Sequence, residues 1–349
     1  VPISPNMCIA SRPVGGTGLS VAELGFGSAT LGNLYDPVSD ADAQAAIAAG
    51  LEAGLRYFDT APHYGRGLSE RRLGDGLRQQ RDVTVSTKVG RLMMPDASIG
   101  DDRERDGFRS PMPFRMHYDY SYDGILRSHD HSLQRLGLAR IDLLYVHDIG
   151  QRTHGEAAAH YWEQLTAGGG LRALDRLRTE GLISGFGVGV NEIAICLDVM
   201  REMPIDVILL AGRYTLLEQD ALDVLFPACA EAGTSIVIGG PYNSGILATG
   251  TKAGGPLHYD YAAALDGVIA KVRAIEAVAD RHAVRLPAAA LRFCLAHPRV
   301  ASVIPGLGSA QRVAETVDLY YEVIPDDFWL ELCHLNLLRE DAPVPVAAP

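Results

Sequence analysis

Residues 56–88 read RYFDTAPHYGRGLSERRLGDGLRQQRDVTVSTK. Two short runs rich in β-branched and aromatic residues, Arg56–Thr60 and Val83–Lys88, flank a stretch, Ser69–Leu77, whose apolar residues recur at helical spacing. A strand, a helix and a second strand in this order form a crossover that joins parallel neighbours. The same alternation extends in both directions. Further strands are expected at Glu23–Ser28, Ile141–His147, Ile183–Val188, Ile205–Leu210, Ser235–Gly239 and Val300–Pro305. Helices are expected at Ala41–Ala53, Tyr122–Leu136, Leu171–Thr179, Ala221–Ala232 and Ala264–His282. Ser39 or Asp40 suits the N-cap of the first helix, and Gly54, Gly137, Gly181 and Gly233 fall where helices should stop. Eight such units, with no block of strands or helices alone, predict an α/β chain folded as a single (β/α)8 TIM barrel. An open doubly wound sheet is the rival architecture. The barrel domain is expected over residues 1–341, with a loose tail at 342–349.

The chain has 349 residues, 47% of them hydrophobic and 21% charged, which is the balance of a globular protein with a large core. Its net charge of −12, from 31 basic and 43 acidic residues, argues against a broad nucleic-acid surface. Cys8, Cys196, Cys229, Cys294 and Cys333 are scattered, with no CxxC pair. That favours reduced thiols in a cytoplasmic protein over a disulfide framework or a zinc site. No apolar run approaches the roughly 18 residues of a spanning helix, and the first residues lack the pattern of a secretory signal. No membrane contact is therefore expected. His129, Asp130 and His131 are too close together on a helix to chelate one metal, since neighbours two apart point to different sides.

Three inserts exceed the minimum connection, at 89–121, 148–170 and 241–259. All follow strands, so they should emerge at the C-terminal face, where barrels of this kind carry their sites. Asp59, Lys88 and His147 end three successive strands and should converge on that rim. Tyr64, five residues beyond Asp59, can fold over it. A phenol ordinarily titrates near 10. A neighbouring Lys88 ammonium should lower that value, Asp59 should hold the lysine, and His147 can orient a substrate oxygen. The four side chains suit the proton half of a carbonyl/alcohol interconversion.

These residues lie in segments that resemble the aldo-keto reductase superfamily, from about Gly18 to Thr316. The resemblance is carried by GLSVAELGFGSATLG, FDTAPHYGRGLSERRLG, STKVG, DLLYVHD and IPGLGSAQRVAET. It implies that Asp59, Tyr64, Lys88 and His147 are the catalytic positions. It also implies a nicotinamide dinucleotide bound without a Rossmann motif. GFGSAT and GFGVGV do not complete a phosphate-binding fingerprint at the head of a helix. Gly27 and Ser28 at a strand end, Tyr214 as a stacking surface for the nicotinamide, and Asn191 at its carboxamide are implied contacts. The loop Pro241, Tyr242, Asn243, Ser244, Gly245 is implied at the pyrophosphate, and Gly306, Arg312 and Glu315 near the adenosine. Related chains that bind a 2′-phosphate carry Lys and Ser at the positions of Gly306 and Leu307. NAD is therefore the expected cofactor, with NADP possible through Arg312.

Within the superfamily the resemblance is to aldose 1-dehydrogenases of the L-fucose or D-threo-aldose type, carried by YDYSYDGILRSHDHSLQRLGL, LLAGRYTLLEQ and IGGPYNSGIL. Pyridoxal 4-dehydrogenase is similar in the same segments. The implied reaction oxidises a hemiacetal, of L-fucose or D-arabinose type, to a lactone with Tyr64 as base. The partner is a small-molecule substrate. A plain carbonyl reductase, and a nucleotide-binding regulatory subunit of a membrane channel, stay open as alternatives. His63 beside Tyr64, and Trp162 in the second insert, are candidate substrate contacts. Met93, Met94, Met112 and Met116, with Phe108 and Phe114, either line the site or anchor the first insert. The oligomeric state is not legible in the sequence.

Overall fold

The computed structural model describes residues 9–252 and 254–345. Its centre is an eight-stranded parallel sheet. The strands, in chain order, are β1 (Phe26–Gly27), β2 (Tyr57–Asp59), β3 (Thr84–Val89) and β4 (Leu143–His147), followed by β5 (Gly185–Val190), β6 (Val207–Ala211), β7 (Ser235–Gly239) and β8 (Val300–Ile304). They pair in sequence order. Parallel bridges between Leu24 and Val303, and between Gly27 and Gly306, bring the last strand back to the first and close the barrel.

Helices α1 (Asp40–Glu52), α2 (Leu68–Leu77), α3 (Tyr122–Leu136), α4 (Gly170–Thr179), α5 (Ile193–Glu202) and α6 (Ala221–Ala232) follow strands β1 to β6 in turn. Helices α7 (Asp266–Arg281) and α8 (Leu286–Ala296) lie between β7 and β8, and α9 (Ala310–Tyr320) follows β8. Ser39 caps α1 by accepting from the Asp42 amide, and left-handed Gly137 and Gly233 end α3 and α6. The expected elements are present, with two differences of note. β5 and β6 start two residues later than predicted, because Ile183 and Ile205 are buried in the turns that feed them. β1 shrinks to two residues. Gly27 lies so close to the backbone of β8 that a Cβ there would stand 2.7 Å from the Pro305 carbonyl oxygen.

Two cores result. One lies between the sheet and the helices. The other fills the barrel with Tyr57, Leu143, Tyr145, Val207, Leu209 and Val237, together with Val14 and Val21. The last two belong to a hairpin the sequence reading did not anticipate, Ser11–Pro13 paired with Ser20–Ala22. The Gly15 amide donates to the Ser235 hydroxyl at the start of β7, so the hairpin plugs the N-terminal end of the barrel.

The first insert folds as an antiparallel hairpin, Arg91–Pro95 with Phe114–Tyr118. The second forms two short helices, Gln151–His154 and Ala158–Leu165, and the third ends in a small hairpin, His258–Tyr259 with Ala262–Ala263. The tail departs from the expectation of looseness at its start, since Ala342 is buried and Val344 packs on the core. Residues 346–349 lie outside the described residues, as does Cys8. The other four cysteines are free thiols. No helix among the described residues is long and apolar enough to cross a membrane.

Candidate active site

Asp59 and His147 are the last residues of β2 and β4, and Lys88 is one from the end of β3, so three neighbouring strands deliver them to one rim. All three are buried. Lys88 Nζ donates to Asp59 Oδ2 at 2.7 Å and to the Thr60 carbonyl at 2.8 Å. The second carboxylate oxygen of Asp59 accepts from the Ser86 hydroxyl at 2.7 Å. Ser86 is hydrogen-bonded to Tyr57, and Tyr57 to Tyr145, each at 3.0 Å. A buried ion pair is tolerable only when its remaining hydrogen-bonding capacity is met, and this hydroxyl chain helps meet it.

Tyr64 begins a tight turn over the same rim. Gly65, Arg66 and Gly67 are all left-handed, with φ of 64°, 55° and 99°. Gly65 is required there, since a Cβ would stand 2.5 Å from the Gly32 carbonyl oxygen. Arg66 is held by the Phe114 carbonyl and by Asp106, each at 2.9 Å, so the first insert fastens the tyrosine turn. Lys88 Nζ lies 4.7 Å from the centre of the Tyr64 ring. The His147 ring stands edge-on to Tyr64 with centroids 6.2 Å apart, and His63 is 5.9 Å from His147. Phe108 walls this group, 5.2 Å from His63 and 6.1 Å from Tyr64. Nδ1 of His63 and Nδ1 of His147 are buried with no partner among the described residues.

The electrostatics depart from the simple expectation for Tyr64. Burial is the largest influence and raises its pKa; Lys88 pulls it down without overcoming burial, so the phenol is held protonated. Burial also pulls Lys88 down, but Asp59 and Tyr64 outweigh it and the ammonium is held above its ordinary value. His147 and His63 are pushed well below 6.5, first by burial and then by Arg91. Both imidazoles are therefore neutral at physiological pH. The arrangement presents a phenol backed by an ammonium and two neutral imidazoles around one point, which suits proton exchange with a carbonyl or hydroxyl oxygen.

The sequence reading missed two charged residues at this point. Arg91, three residues beyond Lys88, places Nη2 2.5 Å from Asp148 Oδ2. Asp148 follows His147 directly, and Oδ2 is 3.4 Å from His147 Nε2. The signal was present in VHD and in TKVGR, one and three positions beyond residues already singled out.

The expected cofactor contacts divide. Gly245 and Gly306 are open, with nothing near the Cβ side of Gly245 and only the Thr30 methyl, at 3.4 Å, near that of Gly306. Asn243, Ser244 and Gly245 are successive left-handed residues in the loop after β7. Arg312 and Glu315 are exposed in the first turns of α9, which Ser309 caps. Asn191 directly follows β5 on the rim. Pro241 is buried, and the Tyr242 hydroxyl is buried without a partner. Strands β7 and β8 are adjacent and share the rim of the catalytic group, so these open glycines and the exposed guanidinium fit a long anionic dinucleotide.

Other residues are engaged elsewhere. Tyr214 is fully buried between Phe226 and Phe293, with centroids at 4.6 and 5.0 Å, and offers no face for stacking. The reading of Tyr214 as the nicotinamide platform is corrected accordingly. The Ser28 hydroxyl is tied to the Asp59 carbonyl and to Ser69, and the Asn243 amide to Thr215 and to the Gly212 carbonyl. Both side chains brace strand ends. Leu307 points into the core. Trp162 likewise packs on the core, while Tyr161 reaches the ring cluster of Tyr118, Tyr120 and His154. That cluster adjoins the site, since the Tyr120 hydroxyl donates to the His147 carbonyl at 2.7 Å. Of the methionines, Met93 is buried and the Met112 amide is tied to Gly65, which anchors the insert.

The sequence model of the Aldo/keto reductase family matches residues 23–336. Among curated proteins, the chain is 46% identical to pyridoxal 4-dehydrogenase of Microbacterium luteolum, covering 92% of this chain and 96% of that one. It is 38% identical to D-threo-aldose 1-dehydrogenase of a Pseudomonas species, with the same coverage. Among solved structures it is similar to the holo form of aldo-keto reductase AKR11C1 from Bacillus halodurans. The TM-score is 0.70 at 25% identity, over 97% of this chain and 98% of that one. The chain is an oxidoreductase that belongs to the aldo/keto reductase family, whose members use a nicotinamide nucleotide.

Proposed function

We propose that this protein oxidises the hemiacetal carbon of an aldose of the L-fucose or D-arabinose type to the lactone, with NAD as cofactor. The observation that carries the reading is the buried Lys88–Asp59 pair beneath Tyr64, with the neutral His147 facing the same point. A bound nicotinamide ring supplies the hydride acceptor. The chain's own residues move the proton. Tyr64 Oη takes it from the hemiacetal hydroxyl, Lys88 stabilises the phenolate form, and Asp59 with Ser86 fixes Lys88. His147 hydrogen-bonds the reacting oxygen and holds it toward Tyr64. Such general acid–base help raises the rate by about 10²- to 10⁴-fold.

Asn191, the 241–245 loop, Gly306, Arg312 and Glu315 would hold the dinucleotide. A single exposed guanidinium near the adenosine end, with glycine at 306 and a core leucine at 307, supports NAD over NADP. A second reading has pyridoxal as substrate, favoured by the higher identity to pyridoxal 4-dehydrogenase. It uses the same residues, because pyridoxal also closes to a cyclic hemiacetal.

Reduction of NAD and of NADP, followed with L-fucose, D-arabinose and pyridoxal offered separately, tests the proposal. Faster turnover of a sugar with NAD supports it. Turnover of pyridoxal alone moves the substrate and keeps the proton machinery. Absence of turnover with all three overturns the dehydrogenase reading.

A further inference from the structure

We propose that Asp148, held in place by Arg91, is a specificity residue that accepts a hydrogen bond from a substrate hydroxyl on the carbon next to the one oxidised. The proposal rests on the aldose reading above and narrows it to a polyhydroxylated ring over an aromatic one.

The geometry supports each step. The Arg91 side chain is 4% exposed and that of Asp148 25%, so the carboxylate is the more exposed member of the pair. Arg91 is fixed from a second side, with its guanidinium 5.5 Å from the centre of the Tyr118 ring, and its Nε is buried without a partner. Asp148 has a left-handed backbone, φ 47°, and its amide donates to the Gly189 carbonyl at 3.0 Å. A strained residue whose surroundings hold it in one orientation is a recurrent mark of a site that binds something. Asp148 Oδ2 lies 3.4 Å from His147 Nε2. A substrate oxygen bound to His147 therefore stands beside this carboxylate, and the oxygen on the adjoining carbon comes within its reach.

An ion-paired carboxylate can only accept. It selects a neighbour that donates and disfavours one that is itself anionic. An aldose has a neutral hydroxyl on the carbon adjoining C1. Pyridoxal has an acidic phenolic oxygen near its reacting carbon, which loses its proton readily. The Arg91–Asp148 pair thus separates the two hemiacetals that the proton machinery treats alike. Arg91 acts through Asp148 and is a positioning residue.

The test compares D-arabinose with 2-deoxy-D-ribose, the same pentose lacking that hydroxyl. One hydrogen bond to a charged group corresponds to about 10- to 100-fold in kcat/KM, and the wild type is expected to prefer D-arabinose by that range. Asp148→Asn, which keeps the left-handed backbone and loses the charge, is expected to cut the preference about tenfold, mainly through KM. Asp148→Gly should bring it to within about threefold of unity, and Asp148→Asn should raise relative turnover of pyridoxal. Arg91→Leu should reproduce the loss of discrimination, and Arg91→Lys should restore most of it. Thermal unfolding establishes that each variant is folded. Turnover of D-arabinose with the same preference in wild type and Asp148→Asn overturns the inference and leaves the aldose reading standing, as does a wild-type preference near one. Discrimination left intact in Arg91→Leu removes Arg91 from it. Failure to oxidise either pentose overturns both readings together.

Discussion

The two ends of the barrel are made by the same eight strands, yet one end is sealed with apolar side chains and the other holds buried charge. At the N-terminal end Val14 and Val21 press on Leu143, Val207 and Val237. At the C-terminal end Asp59, Lys88, His147 and Arg91 are all buried, beside unpartnered ring nitrogens. The change occurs along single strands. On β4, Leu143, Tyr145 and His147 alternate onto one face, as the period of two requires. Tyr57 and Asp59 do the same on β2, and Ser86 and Lys88 on β3. Apolar, then hydroxyl, then ionisable is the order met on climbing the barrel. The hydroxyls of Tyr57, Tyr145 and Ser86 form the middle layer and let the charges above them lie next to the apolar layer below. The apolar end is packed for stability, and the strained and charged end carries the candidate site.

The sharpest way to break this division is at Tyr64. Tyr64→Phe keeps the ring and removes only the proton-transfer group, so kcat should fall about 10²- to 10⁴-fold. NAD binding, read by quenching of protein fluorescence on titration, should change little. Activity within a few-fold of wild type would remove Tyr64 from the proton step. Leu143→Ala probes the opposite end. It leaves a cavity in the fully buried layer and should lower the unfolding free energy by about 2–5 kcal/mol in denaturant melts, with kcat/KM nearly unchanged in the folded enzyme. A loss of kcat comparable to that of Tyr64→Phe would show that the two ends do not act separately.

The same contrast explains how much the sequence disclosed. Strand and helix order was legible because each element carries its own period, and Tyr122–Leu136 and Ala221–Ala232 match the reading end for end. Asp59, Lys88 and His147 were legible because strand ends of a parallel barrel share a rim, so position along the chain becomes position in space. Tyr214 was misread because a motif match does not say which way a side chain turns; Phe226 and Phe293 draw the ring into the core. Trp162 packs on the core while its neighbour Tyr161 meets Tyr118, Tyr120 and His154, a difference set by one step along a short helix. Arg91 and Asp148 lie two residues beyond the paired Val89 and Val146 of adjacent strands, and that parallel register, which becomes visible only once β3 and β4 are neighbours, brings them into contact. The direction of the Tyr64 shift was misjudged because burial, which outweighs Lys88, is a property of the closed rim and not of any pair of residues.

That shift makes a pH-dependent prediction, with a smaller effect than the substitutions. In the proposed oxidation Tyr64 is the base, and burial has raised its pKa, so the form that reaction requires is the minor one at neutrality. Its fraction grows as pH rises, and kcat/KM for oxidation should climb about tenfold per unit over the range where Tyr64 is still mostly protonated. Reduction uses the protonated phenol and should not climb with it. His147 and His63, both shifted well below 6.5, stay neutral across that range and should add no further limb. A flat profile for oxidation from pH 7 to 9, under conditions where hydride transfer limits the rate, would show that another group takes the proton.

The smallest expected effect lies at the proposed adenosine end. Gly306 has an ordinary backbone conformation and an open Cβ side, while its neighbour Leu307 is committed to the core. A cation can therefore be added at 306 without strain, and it would join Arg312 beside any 2′-phosphate. Gly306→Lys should move the NADP-to-NAD ratio of kcat/KM upward by about tenfold, the lower part of the range for a charge-assisted hydrogen bond because the position faces solvent. The gain should shrink as salt is raised, since the interaction is exposed. Parallel assays with both nucleotides, at low and high salt, read both effects. An unchanged ratio would place the adenosine elsewhere on the rim and would detach Arg312 and Glu315 from it. The proton machinery under Tyr64 would be untouched by that result, because nothing in it reaches beyond β2, β3 and β4.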